Sequence, residues 1–413
     1  LKLFKGFNGF LLTMKKKLLK SIFRKRRKNE TFFKYLIWIS HFWLGLLSSI
    51  VVFVVCFTGC LYAFKNQITE IYNRDKVFVE KVSNAKKFSA DDVQNQFLKN
   101  HKKITALTVS NDEGRSVSVS YEENGVAQTT FFNQYTGEEL GAVDTSLNVF
   151  FETVLDLHKN LLMGNVGRQI LGAGVLIFVF LLFSGFVLWL PKRIRNLKQS
   201  LTVKWNARFQ RLNYDLHNTL GFYTFLLLFF IAITGLYVTY PWVKNILIVS
   251  LGGESISSIN AENKGADDAF AGLLSDMIQK QNEKKEEQKV KISLDEILKK
   301  ADDILPYKAV TTIELPNKEN PRFVVSKINN THFLGMMLPD EVTFDKNGEL
   351  KTKDLFLDKP LNEQFTALVK PLHTGEIMGL PSIILYFIVC LIGCSLPVTG
   401  IVIWWHRLQK QKV

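Results

Sequence analysis

Four stretches of this chain carry no charged residue and run for a bilayer's width: Tyr35–Phe64, Gln169–Leu190, Thr219–Val243 and Leu380–Trp405. A helix needs about 20 apolar residues to cross a hydrocarbon core of about 30 Å. Each stretch meets or approaches that length, so the expected fold class is a membrane α-helical protein with four transmembrane helices. The near-zero mean hydropathy averages these spans with two large polar segments and does not describe a soluble chain.

Four spans place both termini on one side, and the basic residues say which. Residues 1–35 hold twelve Lys/Arg against Glu30, the 191–216 loop holds seven against Asp215, and three follow His406. The chain as a whole is +14, so the remaining segments are net negative. Short basic loops stay in the cytoplasm. Both termini are therefore expected inside, with segments 65–168 and 244–379 outside. Topology accounts for the positive charge, and nucleic-acid binding is not needed. The lipid bilayer is the partner that the composition demands. Met14 opens "MKKKLLKSIF" and is the expected translation start, with residues 1–13 an extension. No small-residue cleavage site follows, so the first span reads as a retained anchor.

The spans repeat. His41 opens "HFWLGLL" and His217 opens "HNTLGFY"; each is followed by Gly at +4 (Gly45, Gly221) and Thr-Gly at +17 and +18 (Thr58–Gly59, Thr234–Gly235). "LHKNLLMGNVG" precedes span 2 and "LHTGEIMGLP" precedes span 4. His158 and His373 are each followed by Gly at +6 (Gly164, Gly379), Ser/Thr-Gly at +26 and +27 (Ser184–Gly185, Thr399–Gly400) and Trp at +31 (Trp189, Trp404). The unit span–outer domain–span is thus used twice, in parallel orientation about an axis along the membrane normal.

The outer segments repeat as well. "SADDVQNQFLKNH" and "SLDEILKKADDIL" carry a Ser-x-x-acid helix start at Ser89/Asp92 and Ser293/Glu296. Strand-like runs follow: "ITALTVS", "SVSVSYEE" and "VAQTTFFN" in one, "VTTIEL" and "RFVVSKI" in the other, with a turn at Asn347–Gly348. Each reads as a helix on a small antiparallel sheet. The organisation expected is 1–34 basic terminus, 35–64 first span, 65–150 first outer domain, 151–190 His motif and second span, 191–216 loop. It continues as 217–243 third span, 244–290 polar linker, 291–370 second outer domain, 371–405 His motif and fourth span, 406–413 tail.

Topology puts His41 and His217 near the inner face and His158 and His373 near the outer face. A two-fold axis would set each pair opposite, and two imidazoles can ligate one haem iron from both sides. Glycines near the ligands would admit a flat macrocycle. The alternative is four interfacial histidines, since duplication also copies a histidine without a task. Zinc fits less well, because each face repeats two histidines and no acid; Asp156 and Glu376 lie at unmatched positions. Two haems would sit roughly 20–30 Å apart along the normal, with Phe53, Phe57, Phe225, Phe229 and Phe230 between them. His101 and His332 read as solvated and His406 as interfacial. Arg168 and Lys370–Pro371 could contact propionates or an anionic chelate, or serve as interfacial anchors. The only cysteines, Cys56/Cys60 and Cys390/Cys394, form two i,i+4 pairs inside spans, read as small packing residues rather than a thiolate metal site.

These motifs — "HFWLGLL…TG", "LHKNLLMGNVGRQILG…SGFVLWLP", "DLHNTLGFY…TGLY" and "PLHTGEIMGLP…TGIVIWW" — resemble the PepSY-associated transmembrane helix family, the iron-regulated membrane proteins. The resemblance implies a tandem [TM–PepSY-like α+β domain–TM] duplication with two periplasmic PepSY-like domains in a bacterial inner-membrane protein of iron acquisition. Members similar to FoxB bind haem b and reduce ferric siderophores at the periplasmic face, and their haem ligands fall by motif on His41, His158, His217 and His373. No Gly-x-Gly-x-x-Gly follows a strand, and the inner segments are too short for a nucleotide domain. The electron donor is then expected to be a quinol or a separate reductase. Two other classes stay open: a PepSY module that only binds a partner protein or regulates a peptidase, and a transporter of iron or siderophore.

Overall fold

The computed structural model describes residues 26, 30–82, 88–99, 103–123, 125–191, 193–255, 292–317 and 320–410. Residues 1–13 with Met14, His101, and the linker from residue 256 to 290 lie outside the described residues. The chain forms two compact units: a helical unit of residues 1–63, 150–239 and 383–413, and a sheet unit of residues 64–149 and 240–382.

Four helices are long and apolar enough to cross a membrane. Span 1 is Phe32–Ala63, extended past a break at Phe64 by Lys65–Tyr72. Span 2 is Gly164–Trp189. Span 3 begins at Phe209, passes a π-helical turn at Leu216–Leu220 and continues as Gly221–Thr239. Span 4 is Leu380–Lys410. The helices overrun the charge-free windows because helical hydrogen bonding continues into the charged flanks. Span 3 instead stops short of Val243: Tyr240 is extended, and Pro241 opens a new helix, Pro241–Ser250, as suits a residue with no N–H to give.

Span 1 shows how these helices pack. Ser48, Val52, Cys56 and Cys60 recur every fourth residue and are buried, while Leu47, Ile50, Phe53 and Phe57 are exposed. Small residues meet neighbouring helices and large apolar ones face outward, the pattern expected where lipid is the solvent. A Cβ on Gly174 of span 2 would lie 2.6 Å from Val51 Cγ1, so span 1 approaches span 2 where span 2 has no side chain.

The sheet unit holds one antiparallel sheet of eight strands in the order β4-β3-β2-β1-β5-β6-β7-β8. Helix α1 (Ala90–Lys99) precedes β1 (Lys103–Val109), β2 (Val117–Glu123), β3 (Val126–Phe132) and β4 (Glu139–Ala142). Helix α2 (Leu294–Ile304) precedes β5 (Thr311–Glu314), β6 (Phe323–Asn329), β7 (Leu338–Phe344) and β8 (Leu350–Asp354). The two halves join where β1 pairs with β5, with Leu107 opposite Ile313. Both side chains are fully buried in a core shared with Val93 and Phe97 of α1 and Leu294 and Ile297 of α2. The segments expected as two small sheets thus share one sheet and one core.

The two helix starts are tied to each other. Ser293 Oγ accepts from Glu296 N at 3.1 Å, and Ser89 Oγ from Asp92 N at 3.3 Å. Across the join, Asp295 accepts from Ala90 N (3.0 Å) and from the Ser89 hydroxyl, while Asp91 accepts from Leu294 N (2.8 Å). Each aspartate therefore caps the other's helix as well. Burial and the neighbouring Asp295 push the Asp91 carboxyl up. Burial works the same way on Asp295, but the bonds from Ser89, Asp91 and the Ala90 amide win and hold it below the ordinary range.

Candidate functional site

His41, on span 1, has Nδ1 2.8 Å from Ser184 Oγ on span 2. His217, on span 3, has Nδ1 2.9 Å from Thr399 Oγ1 on span 4. His158 has Nδ1 2.9 Å from Thr58 Oγ1 on span 1. Each hydroxyl belongs to one of the repeated Ser/Thr-Gly pairs.

The same hydroxyls also lie within hydrogen-bonding distance of their own helix backbone: Ser184 Oγ of Leu181 O (3.1 Å), Thr399 Oγ1 of Ser395 O (2.8 Å) and Thr58 Oγ1 of Val54 O (2.7 Å). When a hydroxyl donates to its backbone carbonyl its oxygen accepts from Nδ1–H, because it has one hydrogen. A hydrogen bond at one ring nitrogen is how a metal-ligating histidine is usually oriented.

The glycine after each hydroxyl lies against the ring. A Cβ on Gly185 would crowd His41 Cε1 at 3.2 Å, whereas one on Gly400 or Gly59 would meet His217 Cε1 (3.5 Å) or His158 Cε1 (3.7 Å) at ordinary contact distance. The +4 glycines do a different job: Gly45 faces Leu181 and Gly221 faces Leu396 at ordinary contact distance. They set close helix packing beside the histidines.

His158 is not on span 2 itself. It lies on a separate helix, Asn148–Asn160, and the chain then reverses through Leu161, Leu162 and Gly164, all at positive φ. His373 is likewise on its own helix, α3 (Leu361–Thr374), within the sheet unit, and is half-buried. Gly375 ends that helix in the left-handed region, and Gly379, at φ 66°, precedes span 4. The +6 glycines, Gly164 at the first position of span 2 and Gly379 just before span 4, therefore supply the positive φ with which the chain turns from His helix into span. Thr234 holds in span 3 the place that Thr58 holds in span 1, and its hydroxyl likewise lies 2.8 Å from Phe230 O.

Other sequence candidates have plainer surroundings. Asp156 forms an ion pair with Lys159 (2.8 Å), and Glu376 accepts from Asn66 Nδ2 (2.6 Å) and the Thr374 hydroxyl (2.8 Å). The Arg168 guanidinium donates to Thr239 O, and Pro371 lies inside α3. Phe53 and Phe57 stack on each other and, like Phe230, are exposed; Phe225 and Phe229 pack edge-on against Phe183. His332 is half-buried, and His406 lies edge-on to Phe209.

The four cysteines pack into one cluster between spans 1 and 4, all as free thiols. Cys60 Sγ donates to Phe387 O (3.7 Å) and Cys394 Sγ to Phe53 O (3.9 Å). Among the described residues no group of three or more His, Cys, Asp or Glu side chains is arranged to hold a metal ion.

Four membrane-length helices joined to an antiparallel sheet unit with packed helices define a multi-pass membrane protein. The family model of the PepSY-associated TM region matches residues 38–407, and the chain belongs to that family. No curated protein matches it.

Proposed function

We propose that this protein is a bacterial inner-membrane haem-b protein that delivers electrons outward, reducing ferric iron held in a siderophore or other iron chelate. The reading rests on one observation above the rest. His41, His158 and His217 each have Nδ1 within 2.9 Å of a hydroxyl from the repeated Ser/Thr-Gly pairs. A hydrogen bond at one ring nitrogen orients an imidazole for ligation through the other. His41 and His217 would hold one haem and His158 and His373 the other, His373 being assigned from its place in the sequence repeat. Haem, when bound, supplies a one-electron ferric/ferrous couple. The chain's own residues do the rest: Ser184, Thr399 and Thr58 fix each ring, the glycines beside them admit it, and the apolar spans exclude water.

The Lys/Arg distribution supports cytoplasmic termini and a periplasmic sheet unit. The two helix-plus-four-strand halves fit a duplicated PepSY-like domain with its span pair. The electron donor would be a quinol or a separate reductase.

The test is to reduce the detergent-purified protein with dithionite, remove excess reductant and add a ferric siderophore. Reoxidation of the haem band together with a ferrous-chelator signal is the expected result. A haem band that stays reduced with every ferric chelate tried would refute the reductase reading, and protein that takes up no haem would refute the haem reading.

A further inference from the structure

The two halves of the sheet differ at one hairpin. Strands β2 and β3 are joined across residues 124–125, whereas β6 and β7 are joined across residues 330–337. From Thr331 to Leu338 the longer loop reads "THFLGMML", with no charged residue. Phe333 and Leu334 at its tip are 77% and 67% exposed. Leu334 sits at φ 55°, a backbone region that disfavours any residue with a side chain unless its surroundings hold it there.

The surroundings do hold it. Gly335 N donates to His332 O (2.9 Å) and Met336 N to Phe333 O (3.2 Å), closing the tip. The Thr331 hydroxyl donates to Asn329 Oδ1 at 2.8 Å, fixing the root. Most telling, Met337 N donates to Ile377 O at 2.8 Å. Ile377 is buried and lies just before Leu380, the first residue of span 4. A Cβ on Gly379 would lie 3.3 Å from Met337 Cε. The loop is thus strapped to the chain where the chain enters the bilayer.

Distances along the chain make the consequence concrete. Three residues cover about 5 Å as helix and about 10 Å fully extended. The headgroup layer of one leaflet is about 5–8 Å deep. The tether at Met337 thus lies within a headgroup layer's depth of Leu380, and Phe333 and Leu334 stand three to four residues along the chain from it. Phe and Leu gain by leaving water there, and an aromatic ring suits that depth.

We propose that the Phe333–Met337 loop is a lipid anchor of the sheet unit, with Phe333 and Leu334 inserted among the lipids beside Leu380. This does not depend on haem or on the reductase reading. The full-length protein would carry p-benzoylphenylalanine in place of Phe333 and be irradiated in its native membranes. The same photoprobe in place of Asn347 serves as comparison, because the β7–β8 turn lies at the opposite end of the strands. Peptide mass spectrometry should find phospholipid adducts at 333 in at least tenfold excess over 347. Adducts at 333 to another protein, or lipid adducts no more abundant than at 347, would overturn the proposal; the first outcome would make the loop a docking site for a partner protein.

Discussion

At the scale of the residue, the informative atom is the hydroxyl oxygen of Ser184. It lies 2.8 Å from His41 Nδ1 and 3.1 Å from Leu181 O, so it ties the ring to span 2 through that nitrogen. Ser184→Ala would remove this partner and leave the ring free to turn or change tautomer. Loss of such a supporting hydrogen bond typically costs 10–100-fold in affinity for the ligated group. The expected outcome is faster loss of one haem of two to apomyoglobin, with the other retained; Thr399→Ala should weaken the same haem. The check is the biphasic loss of the haem band with time. The hydroxyls were visible in the sequence as repeated Ser/Thr-Gly pairs, but their partners were not. Ser184 stands 143 positions from His41, and no spacing along one helix says which histidine across the bundle it serves.

At the scale of the element, the spans were legible and the sheet only partly so. A charge-free run of bilayer length has few other fates in water or lipid, so four membrane-length helices fall on the four runs, with span 3 ended early at Thr239 ahead of Pro241. Strand β7 was hidden. Pro339, Asp340 and Glu341 at its start look like a loop, yet Pro339 pairs opposite Ile328. The Asp340 carboxylate is buried because the Tyr307 hydroxyl (2.7 Å) and Phe356 N (2.9 Å) both donate to it. Burial and that bond push the Tyr307 hydroxyl well above its ordinary pKa, so it remains a donor. The reciprocal caps were half legible: the serines were foreseen, the swapped aspartates were not, since each lies about 200 residues from the helix it caps.

The caps also carry a prediction. Asp295→Ala removes acceptors from the start of α1 and should destabilise the sheet unit by about 1 kcal/mol at pH 7. Asp295 titrates below its ordinary value, so its contribution is present above about pH 4 and is lost as the pH falls through the depressed value. The melting temperatures of native and variant protein should therefore converge in acid. A difference that grows as the pH is lowered would contradict the assignment.

At the scale of the whole molecule, charge and repetition do different work. The clusters of Lys and Arg bear on which side each segment would occupy, and the repeat pairs His41 with His217 and His158 with His373 in the sequence. Alkaline phosphatase fused after Val413 should be inactive, and a fluorescent protein fused there should be bright, if the tail is cytoplasmic; the opposite pair of results would invert the topology. The central claim is narrower: four repeated histidines hold two haems. The most direct measurement is the reduced-minus-oxidised visible spectrum of purified protein, with haem counted per chain, for the native chain and each single His→Ala variant. The account predicts a b-type spectrum at about two haems per chain. His41→Ala and His217→Ala should lose one component, and His158→Ala and His373→Ala the other. A protein without haem after expression with ample iron and haem, or single variants that leave both components intact, would contradict it.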